Sequence, residues 1–216
     1  MDLHVYRNSQ DRWHDLRAAS RSRGAVLATN AVTLDELVRR LTPGVQEATI
    51  GQRLALVSAA VGDGVPVRYA FDALGDLKGT RVSPAQLRKV DAQALADYLE
   101  SYDRLLRKFD LVDPQDRRWM AASNALESEW LRRFESVIVH AIYDPNPAEF
   151  AMLHNVMERL PGGGTVVLFN ATSNVTPTRF AEWTWQQFVQ DEQLANKAYP
   201  EYVSQVIINL IQPLGD

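Results

Sequence analysis

The chain has 216 residues, of which 46% are hydrophobic and 23% charged, with a net charge of −4 and a pI near 5.6. That balance supports a folded core and argues against a surface basic all over, so any nucleic-acid contact must use a local patch. Cysteine is absent, which excludes disulfides, cysteine-bound zinc and iron–sulfur clusters within this segment.

The start, MDLHVYRNSQDRW, is too polar for a signal peptide, and no apolar run is long enough to span a membrane. The expected location is cytoplasmic. LHVY (Leu3–Tyr6) reads as a short strand, followed by a helix with Ser9 as its N-cap and Trp13, Leu16 and Ala19 at helical spacing. AVLAT (Ala25–Thr29) reads as a second strand. Thr33 and Glu36 then form a capping box before LDELVRRL, whose apolar face is Leu34, Leu37, Val38 and Leu41. Strand, helix, strand, helix predicts an α/β fold with a parallel sheet.

The middle is helical. Ile50 to Val61 is one helix, and after the break GDGVP a second covers Val67–Leu77. Ser83-Pro84 places an N-cap before a proline at the first helical position. The stripe Leu87, Val90, Ala94, Tyr98, Tyr102, Leu105 and Phe109 predicts one long helix beyond it. Asp113-Pro114 repeats the device, starting a helix through Trp119, Ala122 and Leu126. The sheet resumes at SVIVHAIY. A helix carrying Phe150, Leu153, Val156, Met157 and Leu160 follows and stops at PGGG. TVVLFNA (Thr165–Ala171) reads as a buried strand, TPTRFAEWTWQQFVQDE as a helix, and VSQVIINLI as a final apolar segment. These elements divide into an α/β core, 1–48 with 132–216, and an all-helical insertion, 49–131.

The expected chemistry depends on what the strand ends carry. A phosphate-binding loop needs a Gly-rich turn between strand and helix and a lysine to supply charge. After the first strand the chain instead reads RNSQDRW, without glycine or lysine. PGGGT runs from helix to strand, the wrong direction, and Lys78-Gly79-Thr80 follows no strand. No GxSxG elbow and no HxxxH or HExxH pair occurs. Asp144 is placed to cap the helix near Pro147, and His140 sits in an apolar strand, where a satisfied or strand-end histidine is the expected role. The pairs Arg39-Arg40, Arg107-Lys108, Arg117-Arg118 and Arg132-Arg133 read as solvated helix faces able to join into a backbone-binding groove. Trp183 and Trp185 read first as core and second as a base-stacking platform.

VIVHAIYDPNPAEFAMLHNVMERL resembles the second motor motif of UvrD-like helicases: an apolar strand, Asp-Glu, a spacer, Asp, a proline-containing turn and a helix. Val139 ends the strand in this correspondence. His140 and Ala141 fall on the two acidic positions, Asp144, Asn146 and Pro147 on the turn, and Glu149 where Gln or Glu is usual. The degenerate helicase-like part of AddB subunits of helicase–nucleases is more similar. LESYDRLLRKFDLVDPQDRRWMAASNAL is similar to that family's helical insertion, NAVTLDELVRRL to the segment after its second strand, and TVVLFNATSN falls at its next motor strand.

The resemblance implies a parallel-sheet, P-loop-NTPase-like core with an inactivated nucleotide site. Imidazole and methyl groups cannot replace a carboxylate pair for magnesium, so no catalytic, cofactor-binding or metal-binding residue is implied. It implies a scaffold that guides a DNA strand and contacts an AddA-like helicase–nuclease subunit, with a PD-(D/E)xK nuclease and its cysteines beyond Asp216. DNA contacts are expected from a local basic patch, with Arg7, Arg81, Trp183 and Trp185 as the named positions and no membrane involved. Two rivals stay open: a hydrolytic or metal-dependent enzyme using Asp144, Glu149 and His140 in an α/β cleft, and a pure protein-interaction module.

Overall fold

The computed structural model describes residues 1–23, 30–63 and 65–167. Strands β1 (Leu3–Tyr6), β2 (Ala31–Thr33), β3 (Val137–His140) and β4 (Gly164–Val167) form an all-parallel sheet in the order β2-β1-β3-β4. Helices α1 (Ser9–Arg23), α2 (Leu34–Leu41) and α8 (Pro147–Arg159) alternate with these strands. The α/β class and the parallel sheet follow the expectation from sequence. The strand expected at Ala25–Thr29 lies outside the described residues, as do Trp183, Trp185 and every element expected beyond Val167. On that side of β1 the described partner is Ala31–Thr33, and Thr33 ends β2 and caps α2 at once, with Glu36 completing the capping box.

Alternation along the strands sends two kinds of side chain to two faces. Leu3, Val5, Val137 and Val139 are fully buried on one face. They share a core with Leu34, Leu37, Val38 and Leu41 of α2 and with Leu153 and Val156 of α8. Helix α7 (Pro114–Ala125) joins this core through Ala121, Ala122 and Ala125. Those small side chains let α7 approach α8 closely, and Asn155 of α8 donates to the Ala122 carbonyl at 2.8 Å. His4, Tyr6, Ile138 and His140 point to the opposite face, and α1 contributes nothing to the apolar core.

A second core joins α3 (Ile50–Val61), α4 (Val67–Gly79), α5 (Pro84–Lys89) and α6 (Gln93–Lys108) around Leu56, Val57, Leu74, Leu99, Tyr102 and Leu106. Its chain entry and exit meet in a short parallel bridge: Ala48 N donates to Val112 O at 2.9 Å and Val112 N to Gln46 O at 3.0 Å. The single long helix expected from Ser83 to Phe109 is two helices, because Asp91 turns left-handed (φ +56°) between them. That break resets the helical phase. Val90 and Phe109, expected on the apolar face, are 72% and 54% exposed, while Ala96, Leu99, Tyr102 and Leu106 are buried.

Two buried ionic knots fasten the helical unit to α7. Asp113, the fully buried N-cap of α7, accepts from Tyr102 Oη at 2.8 Å, Arg53 Nε at 3.1 Å and Gln115 N at 2.8 Å. Lys78 is buried between Asp103 at 2.5 Å and Asp116 at 2.7 Å. Burial opposes the Lys78 charge, but the two carboxylates outweigh it and hold its pKa above the ordinary lysine value. Removing one member of such a group leaves the others desolvated and unpaired. Asp113→Ala therefore loses about 3 kcal/mol or more, from the cap and from stranding Arg53 and Tyr102. Urea unfolding monitored by circular dichroism checks this, with exposed Asp63→Ala as the neutral control.

Candidate functional site

Strand β1 runs to β2 on one side and, after the helical unit, the chain returns beside β1 on the other. The sheet therefore changes direction between β1 and β3, and in parallel α/β sheets ligands gather outside the carboxyl ends of the strands at such a point. Here that edge is built from the residues that follow Tyr6 and Val139.

After β1 comes Arg7-Asn8. The Asn8 side chain accepts from Asp11 N at 3.0 Å and donates to the Asp11 carboxylate at 2.9 Å, so Asn8 closes the start of α1. The expected cap was Ser9, which is the first helical residue. The turn from β1 into α1 is thus tight, bonds the third amide of the helix and carries a carboxylate.

After β3, the strand extends through His140, one residue past Val139. Ala141 is left-handed (φ +51°), with its amide donating to Val167 O at 2.8 Å. The cap of α8 is Asn146, not Asp144 as expected: Pro147 occupies the first helical position, which makes its predecessor the cap. Asn146 and Glu149 form a full capping box. Asp144 is exposed, and only its carbonyl is used here, accepting from Arg7 Nη1 at 3.1 Å. Glu149, with a side chain only 9% exposed, lies 3.6 Å from Arg7 and 3.5 Å from Arg118. Arg118 also reaches Asp35 at 3.6 Å.

The outward face of β1 and β3 carries an aromatic stack. Tyr6 and His140 are register partners across the strands and their rings lie 4.4 Å apart and almost parallel. His4, two residues before Tyr6, brings its Nδ1 to 2.9 Å from His140 Nε2, one ring donating and the other accepting. Among the described residues His140 Nδ1 makes no hydrogen bond, and it lies 3.5 Å from the Asp15 carboxylate of α1. Burial, and after it the neighbouring His4, push the His140 pKa down to about 4 against the pull of Asp15. Burial likewise lowers His4. Burial first, then the Asp15 charge, push the Tyr6 phenol up to about 12. The rings are neutral at pH 7. In front of them opens a cavity of about 510 Å³, bounded by Tyr6, Arg7, Asp11, His14, Asp15, His140, Ala141 and Tyr143.

The residues named from sequence are therefore partly gathered. Arg7 ties the Asp144 backbone to the Glu149 carboxylate, while His140 and Ala141 line the cavity. Among the described interactions His140 joins neither Asp144 nor Glu149; its partners are His4, Tyr6 and Asp15. Arg81 lies elsewhere, after α4, with its guanidinium 5.1 Å from the Trp119 ring. Among the basic pairs read as solvated faces, Arg117 is buried and donates to Thr42 Oγ1 at 2.8 Å, and Arg40 covers Trp130. Arg118, read from sequence as half of a solvated basic pair, instead flanks Glu149, while His4, Tyr6 and Asp15 were missed in sequence. Their signal, alternation in LHVY and a carboxylate about two turns into α1, acquires meaning only once β3 pairs with β1. Among the described residues no three His, Asp or Glu side chains are grouped to share a metal ion, and no helix is long and apolar enough to cross a membrane. No family model and no curated protein matches this chain.

The depressed His140 pKa sets a pH dependence. The folded value lies below the unfolded 6.5, so neutral His140 favours the fold fully above pH 6.5 and this contribution is lost as pH falls towards 4. Stability should drop by on the order of 2–3 kcal/mol over that window. His140→Gln should flatten the slope between pH 6.5 and 4.5, as read from urea midpoints at fixed salt.

Proposed function

We propose that the chain is a noncatalytic, helicase-like domain of a DNA-break repair helicase–nuclease of AddB type, acting as a scaffold and strand guide without ATPase activity of its own. The observation that carries this reading is the composition of the switch-point edge. Positions that an active motor would give to a metal-binding carboxylate and a water-orienting glutamate hold His140 and Ala141. The turn that would cradle phosphates holds Asn8 and Asp11. Magnesium-assisted phosphoryl transfer needs hard oxygen ligands and a positive phosphate cradle, and neither is available from these side chains.

The hydrolytic alternative draws less support. Glu149 is committed to the capping box and two arginines. Asp144 is exposed and makes no described side-chain contact with His140, so no acid–base pair is assembled at hydrogen-bonding reach. The scaffold reading instead makes use of the rigid joint between the sheet and the helical unit, which presents one fixed surface to an AddA-like partner subunit.

Strand guiding requires phosphate contacts, and those are salt-dependent. The 216-residue chain should bind a single-stranded oligonucleotide at low ionic strength, with affinity falling as salt rises, and should release no phosphate from ATP with or without DNA. Arg81→Ala should weaken binding about two- to tenfold without shifting the melting temperature, because its guanidinium only covers Trp119. Fluorescence anisotropy across a salt series is the measurement. Absence of any salt-dependent binding removes the strand-guide role, and measurable ATP turnover removes the inactive-motor reading.

A further inference from the structure

We infer that the cavity at the β1/β3 switch point is a binding site for an uncharged nucleobase or nucleoside, and that it rejects the phosphate-bearing form. Four observations point there. The cavity lies where parallel α/β sheets bind ligands, and its volume of about 510 Å³ is that of a small-molecule site. Tyr6 and Tyr143 give it aromatic boundaries that suit a planar ring. Asp11 and Asp15 line it from one helix, four residues apart, and beyond their bonds to Asn8 and Tyr6 they keep acceptor positions for N–H and O–H donors. His140 Nδ1 is buried behind that wall, with no hydrogen bond among the described residues and 3.5 Å from the Asp15 carboxylate, so a polar atom backs that acceptor.

Charge decides against phosphate. Arg7 is the one arginine or lysine among the lining residues, and its Nη1 is already engaged with Glu149 at 3.6 Å and with the Asp144 carbonyl at 3.1 Å. The start of α1, which would otherwise attract an anion, has its third amide bonded to Asn8 and carries the negative charge of Asp11. A phosphate would therefore face two carboxylates against a single arginine already shared with Glu149, whereas ring amines and sugar hydroxyls would find acceptors. Left-handed Ala141 adds a geometric element: it turns the chain at the cavity mouth without placing a large side chain there.

The shared chemistry, a neutral base, has two sources: a free nucleoside, or one unstacked base of a guided single strand. The inference goes beyond strand guiding, since it stands or falls on mononucleosides. The test uses the full 216-residue chain with adenosine and thymidine, their 5′-monophosphates and a short single-stranded oligonucleotide, read by isothermal titration and ligand-observed NMR. At least one nucleoside should bind, and its monophosphate, which adds nearly two negative charges at pH 7, should bind at least about tenfold more weakly beside the two carboxylates. Asp11→Asn and Asp15→Asn, each checked for an unchanged melt, should narrow that gap by removing the repelling charge. Competition between oligonucleotide and nucleoside assigns the base to the strand. Nucleoside binding without competition assigns it to a free ligand. The inference is overturned if neither nucleoside binds, if the monophosphates bind as tightly, or if neither folded variant changes the gap. Oligonucleotide binding without nucleoside binding overturns it while leaving strand guiding intact; the reverse leaves it standing and removes strand guiding.

Discussion

The pairing of β1 with β3 is the constraint on which the other features depend. His4 and His140 are 136 positions apart yet hydrogen-bonded across that pair. Closing so long a loop costs conformational entropy, although the cost grows only logarithmically with length. The fold limits it further by making the intervening helices a unit whose ends already meet. Once Gln46–Ala48 lies against Val112, the helical unit is a closed excursion, and α7 returns the chain to the sheet. Asp113 stands at that junction. It caps α7, anchors Tyr102 and Arg53, and so joins the exit of one core to the start of the other.

The same pairing creates the site. Only when Tyr6 and His140 are in register does a row of polar aromatic side chains form on the face that the apolar core does not use. Leu3, Val5, Val137 and Val139 secure the register, because a slip of one residue would exchange that row with the core. Sheet stability and site geometry therefore share one determinant. A substitution that weakens the valine–leucine face would disturb the His–Tyr stack without touching it.

Local signals in the sequence were legible where short-range chemistry decides the outcome. Thr33 with Glu36, Ser83 with Pro84 and Asp113 with Pro114 announce helix starts that the structure retains, since capping involves residues two or three apart. Errors arose where a distant or competing interaction wins. Asp144 is a good cap by type, but Pro147 assigns the cap to Asn146. The stripe from Leu87 to Phe109 is periodic by eye, but left-handed Asp91 breaks it. Arg117 looked like one half of a solvated basic pair and is instead buried against Thr42 and Glu47. The cavity was invisible because its walls come from β1, α1 and the turn after β3, and nothing local links them.

Glu149 holds three parts of the fold together. At the third position of α8 it satisfies the Asn146 amide, and its burial is tolerated because Arg7 and Arg118 stand on either side. Each arginine comes from a different part of the chain, one from the end of β1 and one from α7. The carboxylate therefore clamps the sheet edge, α7 and α8 together. Such a group is retained for stability whether or not the neighbouring strand end keeps its acidic pair, since removing it would leave two guanidinium groups short of a partner at a partly buried joint. His140 and Ala141 have no comparable structural duty that would require carboxylates. The turn and helix can thus stand without carboxylates at the two preceding positions, where His140 instead stacks on Tyr6 and Ala141 turns the chain at φ +51°.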